Sequence, residues 1–189
     1  MEEVVKEKLK ESAQTKLQLN AKVIADIAEA IIGAYKSKKK VVLFGNGGSA
    51  ADAQHIAAEL VGKYKLVREP LPALALSTNT SILTACANDY GYDTVFAKQV
   101  GALVEAGDVV IGISTSGTSP NVLEGIKLAK EKGAVTVGFT GEGREGLGGL
   151  VDLWLSVPSK DTPRIQESHI TAGHIICFLV EQALFGEQG

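Results

Sequence analysis

The apolar positions follow two different patterns along the chain. Between residues 4 and 35, Val5, Leu9, Leu17, Leu19, Val23, Ile24, Ile27, Ile31 and Ile32 recur at near-helical spacing. This predicts an N-terminal arm of one long or two shorter amphipathic helices, whose stripe must be buried on its own subunit or on a neighbour. From residue 40 the pattern becomes short β-branched runs, each followed by a loop and an amphipathic segment. Strands are predicted at 40–44 (KVVLF), 72–76, 108–113 (DVVIGI), 134–139 and 153–157. Helices are predicted at 50–64, near 81–87, at 120–132 and from 163 to about 185. Strands alternating with helices imply a mainly parallel sheet covered on both faces. The unbroken apolar runs VVLF and VVIGI agree, because strands buried on both sides show no alternation. No linker or internal repeat divides the sequence, so residues 1–189 are expected to form one domain, an arm (1–35) on an α/β body (36–189). Ligands of such sheets sit beyond the carboxyl ends of the strands. The first and third units carry Gly/Ser/Thr loops there.

Charge changes this picture little. Nineteen basic and twenty-two acidic side chains leave a formal charge of −3, so an anionic ligand must be drawn by a local site and not by the whole protein. The one basic run, Lys36 with Lys38, Lys39 and Lys40, reads as a solvated turn before a strand, and nucleic acid is not an expected partner. Cys86 and Cys177 both lie in apolar stretches of predicted helix and read as buried reduced thiols, which fits a reducing compartment. The opening MEEVVKEKLKES is charged and periodic, unlike a secretory signal. The apolar run 170–180 is interrupted by His174 and is too short for a bilayer. A soluble, cytoplasmic protein without a membrane partner is expected.

Two loops can hold phosphate. In Gly45-Asn46-Gly47-Gly48-Ser49-Ala50 the glycines allow close approach to backbone N–H groups, and the following helix start adds partial positive charge. The spacing also matches a loose dinucleotide fingerprint, but the second strand ends Leu76-Ser77-Thr78-Asn79, with no carboxylate to hold a ribose. The second loop, Ser114-Thr115-Ser116-Gly117-Thr118-Ser119, places five hydroxyls in six positions. Ser119 alone would pass as an N-cap; five hydroxyls exceed what capping needs and suit an anion cradle at a helix start.

His55 and Glu59, four apart, share a helix face, as do Gln166 and His174, eight apart. Two imidazoles, a carboxylate and an amide oxygen from two helices would suit a divalent first-row metal, zinc foremost. Each pair also has an ordinary reading. The first is a surface contact, and His174 is a satisfied core histidine.

Taken together, FGNGGSAADAQHIAAEL, SILTACANDYGYD, GDVVIGISTSGTSPNV and RIQESHITAGH resemble the sugar isomerase (SIS) domain family, and within it the phosphoheptose isomerases. The resemblance covers nearly the whole chain. It implies a flavodoxin-like three-layer sandwich with a five-stranded parallel sheet, a homotetramer with active sites between subunits, and one zinc ion per subunit. Asn46, Gly47 and Gly48 would contact the sugar phosphate, Asn88 and Asp89 the sugar hydroxyls, and Ser114, Thr115, Ser116 and Ser119 the phosphate. His55, Glu59, Gln166 and His174 would bind zinc, Glu59 and Gln166 would also meet substrate, and Glu59 and His174 would move protons. The chain departs from the family pattern at Pro163, where relatives carry Asp before Arg-Ile-Gln; Asp161 could fill that role. The implied reaction converts sedoheptulose 7-phosphate to D-glycero-D-manno-heptose 7-phosphate through an enediol. A non-catalytic relative that associates with the replication initiator resembles the chain in the arm, the first loop and Arg-Ile-Gln. A binding module of that kind needs neither Glu59 nor His174. A third reading is an isomerase of another phosphosugar using the same cradle.

Overall fold

A computed structural model describes residues 1–143 and 145–186. The arm is two helices, α1 (Glu2–Leu17) and α2 (Ala21–Lys36). Asn20 decides the break, because its side chain accepts hydrogen bonds from the backbone N–H groups of Lys22 and Val23 at 3.1 and 3.3 Å. The body then runs β1 (Val41–Gly45), α3 (Gly48–Val61), β2 (Ala73–Ala75), α4 (Thr80–Tyr90), α5 (Val95–Leu103) and β3 (Val109–Ile113). It continues through α6 (Pro120–Glu131), β4 (Val135–Thr140), α7 (Leu147–Leu150), β5 (Leu153–Ser156) and α8 (Thr162–Phe185).

The five strands form one all-parallel sheet in the order β2-β1-β3-β4-β5. This is the flavodoxin-like order, with the chain reversing direction of travel between β1 and β3. Successive strand residues supply two cores. Val41, Leu43, Ile111 and Phe139 face α2, α3 and α8, while Val42, Phe44 and Val110 face α5 and α6. At about 25 cal/mol per Å² of apolar surface removed from water, these two faces supply the main driving force for folding.

The observed strands differ from the predicted ones by a residue or two, and β2 shrinks to three residues at the sheet edge. Two helices escaped the pattern. α5 has only nine residues and contains Gly101, and α7 is Leu-Gly-Gly-Leu, too short for a helical period to register. α4 is longer than expected because Asn79 caps it, accepting from the Ile82 N–H at 3.0 Å. Cys177 is buried as predicted, but Cys86 is only half-buried. The two lie on opposite faces of the sheet, and both thiols are free. Lys40 also departs from the solvated-turn reading, since its Nζ lies 2.7 Å from the buried Asp108 carboxylate.

α8 extends well beyond the 170–180 apolar run. With 24 residues it is, among the described residues, the one helix long and apolar enough to cross a membrane. Its buried side chains include His169 and Glu181 and pack against α2, α3 and the sheet, so it is a core helix here.

Candidate active site

The two Gly/Ser/Thr loops meet beyond the carboxyl ends of β1 and β3. Asn46, Ser49, Ser114, Thr115, Ser119 and Gln166 line a small cavity of about 80 Å³. Thr115 and Ser116 also open onto a neighbouring cavity of about 280 Å³ with Glu142, Ser159, Lys160, Thr162 and Ile165. Ser119 holds the N-cap position of α6 but makes no side-chain capping bond. Its Oγ instead pairs with Ser114 Oγ at 2.9 Å, and Ser114 Oγ lies 3.4 Å from Ser116 Oγ. Ser116 Oγ accepts from the Thr118 N–H at 3.2 Å. The hydroxyls are bonded to one another, a self-supporting set that an anion's oxygens can join.

The first loop is held by a residue that sequence reasoning passed over. The amides of Asn46 and Asn121 exchange two hydrogen bonds of 2.9 Å, and Tyr92 Oη donates to Asn46 Oδ1 at 3.3 Å. Asn121 is buried at the start of α6, so the two loops are pinned together. Gly47 caps α3, and Gly48 begins it. A Cβ on Gly48 would come within 2.8 Å of the Gln166 amide carbon, so a larger residue there would displace the Gln166 amide from its place under the first loop.

Further along the same two helices, His55, Glu59 and His174 converge. His55 Nε2 lies 3.2 Å from Glu59 Oε1 and 3.4 Å from His174 Nε2, with the two rings edge-to-face at 4.9 Å. All three ligand atoms fall within 4.8 Å of one another. Two donors of a tetrahedral zinc site with bonds of about 2.1 Å stand about 3.4 Å apart, so the two short separations suit one shared ion. The chemistry fits as well, since two imidazole nitrogens and a carboxylate oxygen form a borderline donor set. Neither ordinary reading covers the arrangement: Glu59 meets a histidine from its own helix and that histidine meets another from α8, while His174 is part-exposed and not enclosed in the core.

Gln166 lines the cradle cavity, two helical turns upstream of His174. Asn88 and Asp89 sit on the exposed end of α4, bonded to each other at 2.8 Å. Neither has a described hydrogen bond to the cradle or to the trio, although Tyr92, just past them, reaches Asn46. Pro163 stands in the first turn of α8, and Asp161 holds the N-cap position without a side-chain capping bond.

The family model of the SIS domain matches residues 6–141. A phosphoheptose isomerase of Aquifex aeolicus is 55% identical over 185 residues, 96% of this chain and 97% of its own length. The chain belongs to the SIS domain family, among its phosphoheptose isomerases. Solved phosphoheptose isomerase structures share the whole architecture. The Neisseria gonorrhoeae enzyme is 41% identical, covers 96% of this chain and 98% of its own, and superposes with a TM-score of 0.90. The Francisella tularensis enzyme is 32% identical, with coverages of 95% and 97% and a TM-score of 0.91.

Around the trio stand further groups that carried no expected role in the sequence. The Tyr64 ring centre lies 5.8 Å from that of His174. Asp52, one turn before His55, has an Oδ2 atom buried without a partner, and burial pushes its carboxyl up to about 6 against the opposing pull of His55. Burial likewise pushes the Cys177 thiol up to about 12, which leaves it an inert core side chain.

Proposed function

We propose that this phosphoheptose isomerase interconverts sedoheptulose 7-phosphate and D-glycero-D-manno-heptose 7-phosphate, in the cytoplasm, with one zinc ion per subunit. The observation that carries the reading is the meeting of His55, Glu59 and His174 on the two helices whose N-terminal turns help line the cradle cavity. Seven residues separate Gly48 from His55 and eight separate Gln166 from His174, about 10 and 12 Å of helix. An open heptose chain from carbon 1 to phosphorus spans eight bonds, about 10 Å at roughly 1.2 Å per bond. The cradle therefore suits the phosphate end and the trio the carbonyl end.

In this reading Ser114, Thr115, Ser116 and Ser119 hold the phosphate, with Asn46, Gly47 and Gly48 closing over it. Asn88 and Asp89 reach the sugar hydroxyls. Isomerisation removes a proton from carbon 1 and returns one to carbon 2, and the barrier is the weak acidity of a carbon beside a carbonyl. A divalent ion held by His55, Glu59 and His174, with Gln166 as the fourth donor, would supply positive charge to polarise that carbonyl. Glu59 and His174 move the protons, each worth on the order of 10² to 10⁴ in rate. A carboxylate bound to zinc is a weaker base than a free one, so the ligand and base roles of Glu59 belong to different steps.

The arm and body are read as one domain, whose last three residues lie outside those described. Homotetramer assembly with active sites between subunits is supported by α1, on which Val4, Val5, Leu9 and Leu17 are all exposed.

An isomerase assay on sedoheptulose 7-phosphate, before and after chelation, tests this reading. Activity should vanish with chelator and return with zinc, and Glu59→Gln and His174→Ala should each lower kcat at least about 100-fold in a folded protein. Near-normal turnover in either variant would remove it from the mechanism. Turnover of a hexose phosphate in preference to the heptose would move the reading to another phosphosugar. No turnover of any phosphosugar would favour a binding module.

A further inference from the structure

Beneath the trio lies a buried ion pair that the reaction does not use. Arg68 and Glu181 are 2% and 1% exposed, with Arg68 Nε 3.1 Å from Glu181 Oε1. Arg68 sits in the loop after α3, and Glu181 lies seven residues past His174, two turns along the same face of α8.

We infer that the Arg68–Glu181 pair is a positioning element for the metal site, fixing how far Glu59 on α3 stands from His174 on α8 and so setting the affinity for a divalent ion. This inference rests on the metal reading above. The hydrogen bonds carry it. Arg68 Nη2 donates to the backbone carbonyl of Glu59 itself at 2.8 Å, and Nη1 donates to that of Leu60 at 2.8 Å. These carbonyls lie in the last turn of α3, where no intrahelical N–H is left to serve them. The Glu181 carboxylate accepts from the N–H groups of Tyr64, Lys65 and Leu66 at 3.1, 2.8 and 2.9 Å. The pair therefore bonds to the end of one ligand-bearing helix, is anchored on the other, and folds the intervening loop so that Tyr64 stands beside His174. The planar fork of Arg68 serves helix carbonyls and carboxylate together, which a lysine could not.

Stability and positioning are separable because the molecule holds a second, more exposed carboxylate that also accepts N–H hydrogen bonds, far from the trio. Asp152 accepts from the Thr136 N–H and hydroxyl at 2.9 and 2.8 Å and pairs with Lys130 of α6, on the other face of the sheet. The test titrates metal-free full-length protein with Co²⁺, following its visible absorption well below each variant's Tm. Glu181→Gln and Arg68→Lys should bind cobalt about 10- to 100-fold more weakly than wild type, the usual cost of losing an outer support of a metal ligand. Their absorption bands should change in shape, because the ligand spacing changes. Asp152→Asn should lower Tm and leave cobalt affinity and spectrum unaltered. Arg68→Lys keeps the buried charge paired and serves where Glu181→Gln lowers the folded yield. Wild-type cobalt affinity in both variants, or an equal loss in Asp152→Asn, overturns the inference and leaves the metal site standing. Absence of cobalt binding by the wild type overturns the metal reading and this inference with it.

Discussion

Ser119 shows how a residue's position and its work can diverge. It occupies the N-cap site of α6, yet its hydroxyl bonds to Ser114 and not to the helix. A capping serine changed to alanine costs about 1 kcal/mol of stability. No capping bond exists here and only the pairing with Ser114 is lost, so Ser119→Ala should cost about 0.5–1.5 kcal/mol. A hydrogen bond to a charged group is worth about 1.5–3 kcal/mol, so the same change should raise KM for the phosphosugar about tenfold or more. Urea unfolding and steady-state kinetics on one preparation separate the outcomes, and a stability loss without a KM change would leave Ser119 a purely structural role. At this scale the sequence was readable wherever chemistry clustered within a few positions, as with the five hydroxyls and the His55/Glu59 pair. Asn121 was not readable, since its partner Asn46 lies 75 positions away and an isolated asparagine carries no pattern. Arg68 and Glu181, 113 apart, were hidden for the same reason.

Between elements, the contact that matters most is α3 against α8. A Cβ on Gly173 would lie 2.6 Å from Ile56 Cδ1 and 2.8 Å from its Cγ1, so the helices touch where glycine meets isoleucine, one residue from each histidine of the trio. Gly173→Ala must push the helices apart or bend Ile56 out of its rotamer, at about 1–3 kcal/mol. It should therefore lower Tm by several degrees and also weaken Co²⁺ binding. Gly33 offers the opposite case, since a Cβ there, in the last turn of α2, meets nothing within 4 Å. Gly33→Ala should raise stability by about 0.5–1 kcal/mol and leave metal binding alone. Thermal melts of both variants check the pair, and a tolerated Gly173→Ala would mean that the helices are not in contact as described. The alternation of strand and helix was legible because long apolar periods survive in a linear pattern. The close approach at Gly173 was not, because a glycine's purpose depends on what stands opposite it.

For the molecule as a whole, acid stability brings the buried titratable groups together. Burial pushes His169 down to about 4, against the raising effect of its bond to the Thr140 carbonyl. Between about pH 6.5 and 4 the unfolded chain thus binds a proton that the native protein refuses, so stability falls with pH by about 3 kcal/mol. Asp52 acts in the opposite sense. With its carboxyl raised to about 6, the native protein takes up a proton there before the unfolded chain does, and gains stability as pH falls toward 4. The two effects oppose each other, so metal-free wild type should lose less between pH 6.5 and 4 than His169 alone would impose. Single variants should expose each component. Asp52→Asn should lose about 3 kcal/mol on acidification across this window, and His169→Gln, which keeps a donor for Thr140, should gain. Below pH 4 all three proteins should lose stability together. Burial tends to raise Asp108, Asp152 and Glu181, but their N–H and cationic partners outweigh it and hold all three low. Their contribution is present above the ordinary carboxylate range and is lost as pH falls through their depressed values. Urea unfolding of the three proteins across pH 3 to 7 measures this, and a His169→Gln profile that overlays wild type would show that the buried imidazole takes no part.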